Sequence, residues 1–267
     1  MAFLAVMEKE FRMFFRYPLR VVSSVLVGLV FLVQFVYFGQ AVLGGRYSSI
    51  LHASTGVGDY PTYALIGYVL WWVSVSPMEA SVWGIRRELQ RGTLESNVAS
   101  PMGLLEMVVS LALSWMLMDS AIMAVVFLTG VIAFGVSLSW VALLKALPIV
   151  GLAFLAFLGS GLVFAGLVMV FKNIGPFAQI FEFLVLFISG VFFPLSTLPA
   201  WVVSLSKLIP LTHSASAVRK LLVGMSYLDV TGEVTWLLVL TPLYWLASYA
   251  LFKWAERTAR VMGYGGY

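Results

Sequence analysis

No charged side chain occurs between Val21 and Gly45, and that run sets the tightest limit on what this chain can become. A helix needs about 20 apolar residues to cross the hydrocarbon of a bilayer. Five further runs meet that description. They are Tyr60–Met78, continuing to Trp83; Leu104–Gly135, interrupted by Glu106 and Asp119; Val141–Phe171, with Lys145 near its start; Pro176–Phe193, containing Glu182; and Val234–Phe252. The third and fourth are longer than a crossing requires. About 30 residues at 1.5 Å each span about 45 Å, so these helices are expected to tilt or to project beyond the lipid. Composition agrees: 61% of residues are hydrophobic and 10% charged, against about half and about a quarter in a soluble domain. Lipid must act as a second solvent. The expected fold class is an all-α membrane protein with six transmembrane helices (about 21–45, 60–83, 104–135, 141–171, 176–193 and 234–252).

The net charge of +4 arises from 16 Lys and Arg, and their placement orients the spans. With the N-terminus inside, Lys9, Arg12, Arg16, Arg20, Arg86, Arg87, Arg91, Lys172, Lys253, Arg257 and Arg260 fall on the cytoplasmic side. Arg46, Lys145, Lys207, Arg219 and Lys220 fall outside. That bias predicts a multi-pass protein of the cell (cytoplasmic) membrane with both termini cytoplasmic, and the basic charge implies no nucleic-acid partner. The charges from Glu8 to Arg20 rule out a cleavable signal peptide at the N-terminus. With no cysteine, disulfides and thiolate metal sites are excluded.

Three segments are not spans. Residues 1–19 set Phe3, Met7, Phe11, Phe14 and Phe15 against Glu8, Lys9, Arg12 and Arg16, the pattern of an amphipathic helix on the membrane surface. Pro18 should separate it from the first span. Residues 85–100, IRRELQRGTLESNVAS, are the most polar stretch and suit a short cytoplasmic helix, broken at Gly92, with Thr93 capping a second turn. Residues 194–224 are apolar but punctuated by Pro194, Pro199 and Pro210. They predict two short re-entrant helices, about Ala200–Leu208 and Ser214–Val223, resting in the outer leaflet between spans five and six.

Chemistry-bearing residues are few. No Gly-Lys pair is followed by Ser or Thr, so the chain has no Walker-type phosphate loop. His52 and His213 have no ligand-spaced partner, and no metal site is expected. Glu79, Asp119 and Glu182 lie inside predicted spans, where a charge costs about 2.5–3.5 kcal/mol even on a lenient scale. They suit either a proton or cation pathway or interhelical hydrogen bonding. Glu79 and Glu182 lie about 10 Å inside the cytoplasmic end, and Asp119 is deeper. Phe35, Trp71 and Trp72 are candidates for an aromatic substrate lining, set against an interfacial belt for most of the tryptophans. Gly151, Gly159, Gly161 and Gly166 should allow close helix contact in the fourth span.

Two stretches carry a resemblance. RRELQRGTLESNVASPMGLLEMV, residues 86–108, sets a charged helix before a Gly-Thr-Leu-Glu turn and a Ser-Pro. SGVFFPLSTLPAWVVSLSKLIPLTHSASAVRKLLVG, residues 189–224, carries Ser-Gly-x-x-x-Pro, Leu-Pro-x-Trp, Pro-Leu-Thr-His and a later Arg. Together with the N-terminal amphipathic helix and the span order, they resemble the permease subunit of an ABC-2 type exporter over nearly the whole chain, with residues 20–267 as its transmembrane domain. The resemblance implies a non-catalytic transport subunit that forms a pathway as a dimer, a homodimer in the simplest case, with two separate ABC ATPase subunits. This chain would hold no cofactor; ATP and Mg would sit on the partner. Arg86, Arg87, Glu88, Arg91, Thr93 and Glu95 would form the coupling helix that docks on the ATPase, flanked by the N-terminal helix. Spans one, two and five of two copies would line the pathway in membrane lipid, and the outer segment, opened by Pro194, would gate it. The cargo implied is amphipathic: drug-like, lipid or lipid-linked. A proton- or cation-coupled secondary transporter using Asp119, Glu79 and Glu182 is the alternative.

Overall fold

The structure, a computed structural model, describes residues 2–94, 96 and 102–262. Among these residues it is all-helical, with no strand beyond a single bridge between Tyr47 and Asp59. An amphipathic helix, α1 (Ala2–Arg16), leads into α2 (Pro18–Leu43), and a short α3 (Ser49–Thr55) precedes α4 (Tyr60–Gln90). Two long antiparallel helices follow, α5 (Gly103–Phe134) and α6 (Trp140–Phe171). Then come α7 (Gly175–Ile188), a 3-10 turn at Leu195–Thr197, α8 (Ala200–Ser206), α9 (Pro210–Leu222), a second 3-10 turn at Tyr227–Val230, and α10 (Thr231–Met262).

Five of these helices, α2, α4, α5, α6 and α10 with its leading turn, are long and apolar enough to cross a membrane. The stretch expected as span five, 176–193, is helical only to Ile188. At 14 residues it reaches about 21 Å, short of the roughly 30 Å of hydrocarbon. Prolines explain several other departures from the sequence reading. Pro18, Pro61, Pro176 and Pro210 each stand in the first two positions of a helix, where the missing N–H has no intrahelical partner to lose and φ is already helical. Pro18 therefore opens α2 three residues before the expected start, and α9 begins at Pro210, not Ser214. Residues 85–90 form no separate helix. They are the last turns of α4, which closes in a Schellman turn: Gly92 adopts φ +67°, its N–H bonds Leu89 O, and Thr93 N–H bonds Glu88 O. The Thr93 hydroxyl donates back to the Glu88 carboxylate. Glu95, the Ser100–Pro101 pair and the terminal GYGGY lie outside the described residues.

Helix α4 is the axis of the bundle. It is buried along most of its length, whereas α2 and α10 leave most of theirs exposed, and it packs against α2, α5, α6, α7 and α9. Small residues set the spacing of α6. A Cβ at Gly161 would stand 2.8 Å from Ser81 Oγ and 2.9 Å from the Pro77 carbonyl of α4, and one at Gly166 would stand 2.9 Å from Ala255 Cβ of α10. Gly159 faces Trp245 at ordinary contact distance, but nothing lies within 4 Å of a Cβ at Gly151. The expectation that Gly151 mediates a close contact is therefore corrected. Gly161→Val should lower the melting temperature of the detergent-solubilised protein by about 5 °C or more, because overpacking costs about 1–3 kcal/mol. Gly151→Ala should leave it unchanged or raise it, since alanine is the better helix former.

Candidate functional site

At one end of α4, the coupling candidates sit on its last turns. Arg86 and Arg87 are half-buried and Arg91 is exposed. The Arg86 guanidinium lies 5.6 Å from the Trp83 ring centroid. Trp83, Arg86, Arg87 and Gln90 of α4 and Trp115 of α5 border an open cleft of about 570 Å³. Glu88 accepts from Thr93 and stands 3.8 Å from Lys9 Nζ of α1, so α1 is tied to the tip of α4.

From that tie a polar seam runs into the bundle. Lys9 also approaches Glu10, at 3.9 Å. Glu10 is buried and accepts from the Trp115 indole at 3.2 Å. Arg20 of α2 covers the Trp115 ring at 5.3 Å and lies within electrostatic range of Asp119, which accepts from the Ser76 hydroxyl. Glu79 is in electrostatic range of both Asp119 and Glu182. The three acids, scattered over the second, third and fifth runs of the sequence, thus form one cluster on α4, α5 and α7. Serine in place of an apolar residue at 76 is what gives the half-buried Asp119 a donor. Ser76→Ala should therefore be destabilising by about 1 kcal/mol, because it leaves a half-buried carboxylate without that donor; thermal unfolding of the variant checks this.

Phe35, Trp71 and Trp72 join a second group. Phe35 stacks on Phe192 at 3.8 Å, and Tyr68 packs against Phe35, Trp71, Trp72 and Phe192 at 5.9–6.4 Å. The Trp71 indole donates to the Glu182 carbonyl at 3.2 Å, holding α7 against α4. Tyr68 is fully buried and its hydroxyl has no hydrogen-bond partner among the described residues.

The opposite end of α4 holds a feature the sequence reading did not single out. Arg219 of α9 is buried. It donates to the carbonyls of Gly190 (2.9 Å), Val191 (2.6 Å) and Tyr63 (3.0 Å), with its guanidinium 3.4 Å over the Tyr63 ring. Tyr63 Oη donates to Gly190 O at 2.5 Å and Tyr60 Oη to Phe192 O at 3.2 Å. Burial pulls the Arg219 pKa below its usual value, while Tyr63 and Tyr60 act in the opposite direction. Gly67 makes this approach possible: a Cβ there would lie 2.4 Å from Arg219 Nη2 and 2.6 Å from Val191 O. The carbonyls that follow the early end of α7 are thereby satisfied. Pro194, buried, follows them and leads into the first 3-10 turn. His213 bonds Lys207 O at 2.8 Å and stacks on Trp236, a packing role. Arg219 was counted among the outer charges and as the later Arg of the resemblance, with no role expected for it as a donor to the carbonyls of 190–191.

A family model described as ABC-2 type transporter matches residues 1–223, a range that takes in α1, the charged tip of α4, the acid cluster and the Arg219 knot. The chain belongs to the ABC-2 type transporter family. It is therefore an integral membrane component of a transport system. Curated ABC-2 relatives include nodulation protein J from Rhizobium leguminosarum bv. trifolii, 31% identical over 121 residues (43% of this chain, 44% of the relative). Nodulation protein J from Bradyrhizobium diazoefficiens is 34% identical over 122 residues (43% and 44%). The Escherichia coli K12 protein named "Probable multidrug ABC transporter permease YbhR" is 22% identical over 198 residues (73% and 53%). The chain thus matches about half the length or less of these ABC-2 relatives.

Proposed function

We propose that this chain is the permease subunit of an ATP-driven ABC exporter, pairing with a second permease copy and coupled to two separate ATPase subunits. The observation that carries the proposal is the charged tip of α4. Arg86, Arg87, Glu88 and Arg91 project from the last turns of the most buried helix in the bundle, and Lys9 of α1 braces them. A push applied there acts directly on the axis of the bundle. The missing phosphate loop fits an engine on another chain; ATP and Mg would bind there.

The proposed topology keeps six crossings, with both termini in the cytoplasm. α7 is too short to cross alone, so residues 189–199 complete the fifth crossing as irregular backbone. Such backbone is tolerated at membrane depth only where protein satisfies it, and Arg219, Tyr60 and Tyr63 supply that cover. α8 and α9 then form the outer re-entrant segment, with Pro194 at its entry. Phe35, Trp71 and Trp72, half-buried in one copy, face the pathway in the dimer, whose aromatic lining suits amphipathic, lipid or lipid-linked cargo.

Purified alone, the chain should hydrolyse no ATP. Co-expressed with an ABC ATPase encoded beside it, it should co-purify as a complex with transport that requires ATP. A second reading, coupling to protons or cations, is favoured by the convergence of Glu79, Asp119 and Glu182. Reconstituted vesicles separate the two: full-rate transport by the chain alone under a proton gradient would overturn the exporter reading.

A further inference from the structure

One small cavity stands apart from the seam and the aromatic group. It occupies about 130 Å³ between α3, α9 and the end of α7, and its lining includes Arg219, Lys220, Thr212, Ser216, Ser196 and Thr55, with no acidic residue. Lys220 is neutralised at 2.6 Å by Glu233, which also accepts from Ser216 at 2.9 Å. Arg219 is not neutralised in this way: the partners of its guanidinium are backbone carbonyls and the Tyr63 ring. Two donors at the cavity are orphaned. Arg219 Nε and Thr212 Oγ1, on residues only 4% and 6% exposed that line the cavity, are buried without a hydrogen-bond partner among the described residues.

A buried cation lacking an anion and two unmade hydrogen bonds are costly separately, and one ligand resolves both. Charge-assisted bonds from guanidinium and hydroxyl to an oxyanion are among the stronger ones available. The volume equals roughly four waters of about 30 Å³ each, which accommodates a tetrahedral oxyanion of five heavy atoms. The two orphaned donors stand about two turns apart on α9, and a phosphate offers four oxygens to donors so spaced, against two on a carboxylate. We propose that this pocket binds a phosphate group, as a free ion or as the headgroup of an anionic lipid. Its location on the outer face rests on the proposed topology; the binding itself does not.

The test is thermal unfolding of the full chain in neutral detergent, with sodium phosphate against sodium chloride at matched ionic strength. Phosphate should raise the melting temperature by several degrees more than chloride, following ligand linkage. Thr212→Val, which keeps the volume and removes the orphaned donor, should abolish that increment while melting normally in chloride. Thr212→Ser should retain it. No stabilisation beyond chloride by phosphate and none by phosphatidic acid, or an undiminished increment in Thr212→Val, would overturn the proposal. A second arm compares nanodiscs of phosphatidylcholine with and without phosphatidic acid. Stabilisation by phosphatidic acid that Thr212→Val removes assigns a lipid headgroup; stabilisation by inorganic phosphate alone assigns a free ion. ATPase association is not read by either arm, so failure here leaves the exporter reading standing.

Discussion

Replacing Arg219 with alanine should cost about 3–5 kcal/mol, among the largest losses available from one side chain outside the packed core. The substitution leaves the carbonyls of Gly190, Val191 and Tyr63 without their shared donor, and each buried acceptor left unpaired costs about 1–3 kcal/mol. Tyr63 Oη still reaches Gly190 O, which keeps the sum below the simple total. The melting temperature in detergent should fall by about 10 °C. Arg219→Lys should rescue little of this, because one compact ammonium lacks the planar fork that serves three carbonyls at once. Gly67→Ala should behave like Arg219→Ala although it removes no interaction of its own, since its new methyl would stand 2.4 Å from Arg219 Nη2 and 2.6 Å from a backbone oxygen. If Arg219→Lys melts like the native protein, the carbonyl knot is not what secures this end of the bundle.

The second large effect concerns activity. Glu88→Lys, in the co-expressed complex with its ATPase, should lower ATP-dependent transport by about tenfold or more. Removing one partner of a hydrogen-bonded charge pair at an interface costs about 2–5 kcal/mol, and reversal adds repulsion. Arg87→Glu should act in the same direction. Glu88 also meets Lys9 within the chain, so the control is the double swap Lys9→Glu with Glu88→Lys, read against Lys9→Glu alone, which carries the same repulsion from Glu10. It restores the tie between α1 and α4 and leaves a reversed charge toward the partner. Continued loss of transport in the swap supports docking on the ATPase; full recovery would confine Glu88 to an internal role.

Much of the fold was legible because lipid imposes one simple demand: long charge-free runs, each closing its own backbone bonds. The runs from Val21, Tyr60, Leu104, Val141 and Val234 all became long helices on that account. Where the backbone is satisfied by side chains from afar, sequence was silent. The stretch after Ile188 is as apolar as a span, and nothing local says that its carbonyls will be met by Arg219, 28 residues or more onward. The same holds for the acid cluster. Glu79, Asp119 and Glu182 were each visible as costly insertions, but their convergence depends on how α5 and α7 pack on α4. Pro18 does separate α1 from α2, but the start of α9 at Pro210 was missed, because the sequence does not show whether a proline stands in a helix's interior or at its first turn. The stretch proposed for coupling was misjudged in form, since Ile85–Gln90 continue the register of the helix before them.

That continuity has a consequence for timing. α4 runs unbroken for 31 residues, about 46 Å. Tyr60 and Tyr63 are fastened to the carbonyls of 190–192 at one extremity, and Glu88 to α1 at the other. Two fastenings on one stiff body move in step. A displacement imposed at Glu88 arrives at Tyr60 without delay unless the helix bends, and its one internal proline, Pro77, stands beside Ser76 and the acid cluster. Pro77 is thus a joint in the transmission beside Ser76 and Glu79, and bending there would decide whether the two ends of α4 move together or in turn.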